Sequence, residues 1–193
     1  MLARRCMMLS IFALVAATVA AGATRAQTAA AASAARELAG QHPAEYYRRA
    51  AALITSARKD DAVFIFYLGQ LRFRTHLMAR PNLPPSGDRA LFASLSEVVG
   101  RPVNEYAFGD LPALARTVDA VLAWDLKNPD SYTPPAQFAA AHASVRSGLA
   151  SMKAQLLAGA DQIRAQRKRA GEPVRADGAE NSRTPFAPRP TPL

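Results

Sequence analysis

Apolar and polar residues follow one another along most of the chain with the period of amphipathic α-helices. Between residues 44 and 58 the apolar positions recur every three or four residues, which places them on one face of a helix. Comparable segments cover about residues 60–80, 88–99, 110–126 and 135–169. Asp60, a predicted N-cap, marks the boundary between the first two segments, and prolines or glycines separate the others. The pattern therefore predicts an all-α fold, with five to six helices in a single domain.

The second segment opens with seven consecutive apolar residues, 62–68, and this run taken alone also fits a buried β-strand. The apolar spacing continues through Leu71, Phe73 and Leu77, and the whole segment is about 20 residues long, which favours a helix. A helix that is apolar on all sides must be covered by several others. We therefore expect it at the centre of the domain.

Residues 135–169 show the clearest helical pattern in the chain. Apolar positions from Phe138 to Ile163 alternate between steps of four and three, as in a helix that packs along another helix. At about 1.5 Å per residue such a helix is ~50 Å long, more than a small domain covers. We expect its polar end, 164–169, to project. The stretch that includes Met152, Leu156 and Ile163 is predicted to mediate self-association or partner binding.

The segment between the third and fourth helices, residues 101–109, lacks a helical period. Its residues Val103, Tyr106 and Phe108 are apolar enough to be buried. We expect an ordered extended link here. Asp110 follows it and is predicted to be the N-cap of the next helix.

The N-terminus has the three parts of a secretory signal peptide. Arg4 and Arg5 precede an apolar run, and Ala23-Thr24-Arg25-Ala26 supplies small residues before a predicted cut at Gln27. An uncleaved membrane anchor is the alternative, although the run is short for a bilayer core of about 30 Å. After cleavage we expect no transmembrane segment. Arginine far outnumbers lysine and alanine is abundant, so we expect export to the periplasm of a Gram-negative bacterium.

This interpretation divides the chain into four parts. Residues 1–26 are the signal peptide, 27–42 an alanine-rich segment, 43–170 the helical domain, and 171–193 a proline-rich tail that we expect to be disordered. The single cysteine, Cys6, leaves with the signal peptide. The mature protein therefore has no disulfide, and burial of apolar surface must stabilise it.

The net charge of +9 invites a nucleic-acid function, but its distribution argues against one. Most of the excess lies in the signal peptide and beyond residue 163, so that residues 27–163 keep only +2. A groove for nucleic acid needs a dense basic stripe with interleaved aromatic residues. We expect no nucleic-acid partner.

Residues 46–73 resemble a tetratricopeptide-type helical hairpin. Ala50, Ala62, Phe66 and Gly69 have the spacings of 12, 4 and 3 that the repeat uses where its two helices cross. The resemblance covers 28 residues, and it implies a scaffold for protein interactions without catalytic chemistry.

Candidate chemistry is sparse. His42, His76 and His142 are far apart and no carboxylate is spaced to orient them, so we expect each to be a satisfied polar position between helices; a pocket that uses His76 and His142 is the alternative. Glu105 and Asp110 are the candidates for acid or base catalysis. We expect no metal, cofactor or catalytic residue.

Four arginines flank the loop at residues 81–88 and are a candidate lip for an anionic ligand such as a cell-wall carboxylate or phosphate. They are Arg72, Arg74, Arg80 and Arg101. The alternative is that these side chains cover the ends of a buried helix with their charged heads in water.

The sequence as a whole favours an exported helical module that binds a ligand or a protein partner. A small cell-envelope hydrolase that uses Glu105 or Asp110 is a second hypothesis, and a toxin-neutralising immunity protein is a third. The identity of the partner and the oligomeric state are left open by the sequence.

Overall fold

The computed structural model of the protein describes residues 29–175, and every regular element in that range is helical. The all-α prediction is confirmed. The number of helices is higher than the five to six predicted, for two reasons. The predicted link at residues 101–109 is largely helical, and the predicted C-terminal helix is divided into two. The elements are α1 (residues 29–37), α2 (Ala44–Ile54), α3 (Lys59–Ala79), a π-type turn (Pro85–Arg89), α4 (Ala90–Val98), α5 (Gly100–Ala107), α6 (Leu111–Lys127), α7 (Pro135–Ala158) and α8 (Ala160–Arg169). The predicted signal peptide and residues 176–193 of the predicted tail lie outside the described residues.

Helix α3 is the centre of the domain, as its apolar pattern predicts. It packs against α2, α5, α6 and α7, and its run from Ala62 to Phe73 is buried at almost every position. The strand alternative for residues 62–68 is therefore wrong. A helix that is covered on all sides has no solvent-exposed face, which explains why apolar residues occur all around it.

Helices α2 and α3 form an antiparallel pair with a very close crossing at Gly69. A Cβ atom at this position would lie 2.5 Å from the Cβ atom of Tyr46, so only glycine fits. The ring of Tyr47 meets Phe66 and Phe73 edge-on, with centroids 5.2 and 6.0 Å away. The close backbone approach thus brings the aromatic side chains of the two helices into contact.

A buried ionic network joins four of the elements around Arg72 of α3, a residue that is 2% exposed. Its guanidinium donates to the Tyr46 hydroxyl of α2 and, over 2.9 Å, to the backbone oxygen of Asn128 after α6. The Nε atom lies 3.5 Å from Oδ1 of Asp125 on α6. The other oxygen of Asp125 accepts a hydrogen bond of 2.9 Å from Nε of Arg146 on α7, and a terminal nitrogen of the same guanidinium lies 2.7 Å from it. The network therefore sets the positions of α2, α3, α6 and α7 relative to one another.

The extended link predicted for residues 101–109 is wrong, because residues 100–107 form α5. Pro102 lies in the first turn, where its missing N–H is not needed. Val103 and Ala107 are four residues apart and both are buried, so one face of this short helix packs on the core. The helix is too short for its period to stand out in the sequence.

The single long C-terminal helix is also wrong, because Gly159 interrupts it between α7 and α8. Its φ and ψ angles, −93° and 10°, are outside the helical range. The polar end does not project as a whole: Arg167 is 8% exposed and donates to the backbone oxygens of Glu105 and Pro173. Beyond the break, the Ile163 side chain of α8 is partly buried and packs against the core.

Residues on both sides of the predicted domain limits contact the domain. In α1, Ala31, Ala34 and Ala35 are at most 4% exposed, because small side chains permit a close approach to the core. At the other end, the backbone N–H of Arg175 donates to the Gly109 oxygen over 2.7 Å. The packed unit therefore includes residues 29–175. No helix in that range is both long and apolar enough to cross a membrane.

Gly69→Ala tests the close crossing of α2 and α3. The added methyl group would overlap Tyr46, so we expect a loss of about 1–3 kcal/mol in the free energy of unfolding. Gly148→Ala is the matched control, since this helical glycine has open space around it and alanine should stabilise by up to about 1 kcal/mol. Urea unfolding measures both. Equal effects of the two substitutions would contradict the described crossing.

Candidate functional site

Two of the three histidines meet a single carboxylate at one end of α3. The Nε2 atom of His76 lies 2.7 Å from Oδ2 of Asp88, and the Nε2 atom of His42 lies 3.3 Å from Oδ1 of the same residue. His42 precedes α2, His76 belongs to the last turns of α3, and Asp88 belongs to the π-type turn before α4. We call these three residues the histidine–aspartate cluster.

The hydrogen-bond partners of the cluster fix the tautomers of both rings. A guanidinium and a backbone amide can only donate, and they face the Nδ1 atoms: Arg80 is 2.9 Å from Nδ1 of His76, and the N–H of Ala44 donates over 3.1 Å to Nδ1 of His42. Each Nδ1 is therefore an acceptor. The neutral His76 ring therefore carries its proton on Nε2 and donates it to Oδ2 of Asp88, and the Nε2 atom of His42 faces Oδ1 of the same carboxylate at 3.3 Å.

The surroundings favour a neutral His76 imidazole beside an ionised Asp88 carboxylate. Burial lowers the pKa of the His76 imidazole and outweighs the hydrogen bond to Asp88, while the nearby Arg80 guanidinium lowers it further. Burial alone would raise the pKa of the Asp88 carboxyl, but the hydrogen bond from His76 and the two imidazoles outweigh it and keep this pKa below its usual value. Asp88 is thus a charged acceptor held by two donors.

Aromatic side chains form the walls around the cluster. The ring of Tyr132 lies 5.1 Å from that of His42 and 5.2 Å from that of His76, and Phe73 meets His42 edge-on at 5.4 Å. The side chain of His76 is only 4% exposed, whereas those of His42 and Asp88 are 28% and 27% exposed. Solvent and small ligands can therefore reach the cluster from the side of His42 and Asp88.

The cluster is also a candidate metal centre. One ligand atom from each of its three residues can be chosen so that all lie within 4.8 Å of one another. Imidazole nitrogen and carboxylate oxygen are the ligands that Zn²⁺ and similar transition metals use in proteins. No spacing in the sequence indicates this cluster, because Asp88 reaches the histidines only through the turn at Gly87, whose φ angle of 78° suits glycine. The expectation that no carboxylate orients the histidines is therefore wrong for His42 and His76.

The third histidine lies apart from the cluster. His142 of α7 is 1% exposed, and its Nε2 atom is 2.7 Å from the backbone oxygen of Thr133. It is a polar position between packed segments, as expected from the sequence, but it is only half satisfied, because its Nδ1 atom has no hydrogen-bond partner within residues 29–175. The alternative pocket built on His76 and His142 is replaced by the pairing of His76 with His42.

The four arginines of the predicted anion-binding lip have four different partners. Arg72 is inside the buried network, and Arg74 lies over the ring of Phe92 with 5.5 Å to its centroid. Arg80 contacts His76, and Arg101 forms an ion pair with Glu97. Of the four, Arg80 touches the histidine–aspartate cluster.

The two candidate acid–base residues have different surroundings. Asp110 accepts a hydrogen bond of 2.9 Å from the Ala113 amide and is the N-cap of α6, which confirms that prediction. Glu105 is exposed and lines an open groove of about 440 Å³ between α4, α5 and the C-terminal part of α8. The lining residues are Ser96, Glu97, Arg101, Asn104, Glu105, Phe108, Arg167 and Glu172.

The three residues of the predicted interaction stretch are partly buried. Met152, Leu156 and Ile163 pack against the core of the domain and keep part of their surface in solvent. Leu157, beside them in sequence, is 46% exposed.

Near the buried network lies a further buried carboxyl group, Asp130, which is 2% exposed. Its Oδ1 atom accepts a hydrogen bond of 3.0 Å from the Tyr132 amide, while its Oδ2 atom has no hydrogen-bond partner within residues 29–175. Burial raises the pKa of the Asp130 carboxyl, and the Arg72 guanidinium only partly offsets this effect. The ionised Asp130 carboxylate therefore lowers the stability of the folded protein at neutral pH.

Comparison of the chain with protein-family models, with curated proteins and with solved structures finds no match. The candidate site therefore rests on its own geometry.

Asp130→Asn tests the electrostatics of the buried network. Because the folded protein binds the Asp130 proton more tightly than the unfolded chain, this group lowers stability as the pH rises from about 3.8 through its raised folded pKa. Asparagine keeps the Oδ1 acceptor and removes the charge. We expect the variant to gain stability relative to the wild type as the pH rises from 3.5 to 7, measured by urea unfolding. A variant that instead loses stability over this range would show that the carboxylate stabilises the fold.

Proposed function

We propose that this protein is an exported helical module that binds a partner protein through α4 and the groove beside it. The main observation behind the proposal is that α4 is rich in apolar residues and yet has no buried residue. Six of its nine residues are apolar, yet none of them is buried, and Val98 is 70% exposed. A helix of this composition in contact with water is typical of an interaction surface.

The two sides of α4 have different surroundings. Leu91, Phe92 and Leu95 are partly buried and pack against the core, so the helix is attached to the domain. Ala90, Ala93 and Val98 are exposed. The helix therefore presents apolar side chains to solvent from a fixed position, which reduces the entropy lost when a partner binds.

The groove extends this surface. Nine helical residues span only about 13 Å, which is too short to supply the ~800 Å² that each partner buries in a stable interface. Ser96 and Glu97 of α4 line the groove, and Arg101 and Glu105 of α5 continue its polar rim. An apolar patch with a polar rim matches the usual anatomy of protein interfaces.

Three further observations support the proposal. The N-terminal pattern supports export, and the tetratricopeptide-like spacing of residues 46–73 is typical of interaction scaffolds. The C-terminal helical region remains a proposed second contact surface, because Met152, Leu156 and Ile163 are only partly buried and Leu157 is 46% exposed. We commit to a heterologous protein partner, and association of two copies is the competing outcome.

Val98→Asp tests the role of α4. The aspartate would place a charge in the proposed interface, so we expect at least a tenfold loss of affinity for the partner captured by crosslinking of the exported protein. Leu126→Asp is the matched control, since Leu126 is 64% exposed on α6, outside the proposed surface. Both variants should unfold in urea within about 0.5 kcal/mol of the wild type.

Two results would contradict this proposal. Equal retention of the partner by both variants would mean that the interface lies elsewhere on the protein. A wild-type dimer in light scattering that Val98→Asp converts to a monomer would show that α4 binds a second copy.

A further inference from the structure

The histidine–aspartate cluster has the chemical composition of a transition-metal site. Two imidazoles and one carboxylate suit Zn²⁺, whereas Mg²⁺ and Ca²⁺ prefer sets of oxygen ligands. Three protein ligands leave a fourth position for water or another small ligand, as in zinc sites that are not purely structural. The exposed edge at His42 and Asp88 gives a cation access to this position.

The distances within the cluster are close to those of a tetrahedral site. With metal–ligand bonds of about 2.0–2.1 Å, neighbouring ligand atoms lie about 3.3 Å apart. The Nε2 atom of His42 is 3.3 Å from Oδ1 of Asp88, and the Nε2 atom of His76 is 2.7 Å from Oδ2. A set with one ligand atom from each of the three residues lies within 4.8 Å. A cation would thus require the side chains to shift until one oxygen of Asp88 and the two nitrogens reach this spacing.

We propose that His42, His76 and Asp88 bind one Zn²⁺ ion, and that Arg80 opposes its binding. The effect of Arg80 follows from the position that the His76 ring proton must take when a metal binds. A metal at Nε2 of a neutral imidazole requires the ring proton on Nδ1, which then acts as a donor. At His76 this Nδ1 faces Arg80, which can only donate and also carries a positive charge 2.9 Å away. Zinc binding therefore requires Arg80 to move aside.

The same requirement at His42 breaks a different contact. Its Nδ1 atom accepts the N–H of Ala44 in the first turn of α2, and that hydrogen bond is lost when Nδ1 becomes protonated. Changes to such outer partners typically alter metal affinity by 10- to 100-fold. The cluster should accordingly bind Zn²⁺ with a dissociation constant on the order of a micromolar, weaker than structural zinc sites.

The test is calorimetric titration of the purified, chelator-treated protein with Zn²⁺, with absorption of bound Co²⁺ as a second readout of coordination. We expect one ion per chain. His76→Gln and Asp88→Asn should each weaken binding at least 100-fold. Arg80→Gln should strengthen it about tenfold, because it removes the charge and supplies an amide oxygen for the Nδ1 proton.

Two matched controls separate this site from general effects. Arg74→Gln removes a charge from α3, the helix that precedes Arg80, at a side chain that packs on Phe92. Asp119→Asn removes an exposed carboxylate of α6. Neither substitution should change the affinity for Zn²⁺. Circular dichroism checks that each variant is folded. Asp88 is partly exposed, so Asp88→Asn keeps the test decisive if His76→Gln unfolds. Absence of binding to the folded wild type, unchanged binding by Asp88→Asn, or weaker binding by Arg80→Gln would each overturn the proposal.

Discussion

The fold depends on a charge that is taken out of water. The Arg72 guanidinium lies at the centre of the helical domain, and a buried cation is tolerated only when its hydrogen bonds and its charge are matched. Tyr46 and Asn128 accept its hydrogen bonds, and Asp125 supplies the opposite charge, with 3.5 Å between Nε and Oδ1 and no hydrogen bond at either of these two atoms within residues 29–175. Arg146 balances the second oxygen of Asp125. Apolar packing can accommodate small shifts between helices, whereas this network requires one arrangement.

The candidate metal site is connected to this network through the segment between α6 and α7. Asn128 begins this segment, and its backbone oxygen accepts a hydrogen bond from Arg72. The Asp130 carboxylate accepts a hydrogen bond from the backbone amide of Tyr132. Tyr132 then packs on both histidines, while the backbone oxygen of Thr133 lies against His142. The buried charges thereby position one wall of the half-exposed cluster, so the stability of the core and the geometry of the site are coupled.

Sequence reasoning succeeds here where the information is local. The continuous apolar run of α3 predicts a central helix, and Asp110 before an apolar period predicts an N-cap. It fails where the decisive partner is distant in the chain. Arg72 is predicted at a candidate surface lip because arginine is usually exposed, and its partner Asp125 is on another helix. Asp88 is predicted only as the start of a helical segment, since only the folded turn brings it to His42 and His76. The helix at residues 100–107 and the break at Gly159 are not predicted, because short helices and breaks leave only a weak periodic signal in the sequence.

The most direct test of the central role of the network is urea unfolding of Asp125→Ala beside Asp119→Ala. Both residues belong to α6 and both pair with a basic residue of α7, but Asp125 is fully buried and the Asp119 side chain is 59% exposed, 2.5 Å from Lys153. Removing Asp125 leaves Arg72 buried without its counter-ion, so the free energy of unfolding should fall by about 3–5 kcal/mol. Asp119→Ala should cost less than about 1 kcal/mol. A loss below about 1 kcal/mol for Asp125→Ala would contradict the account.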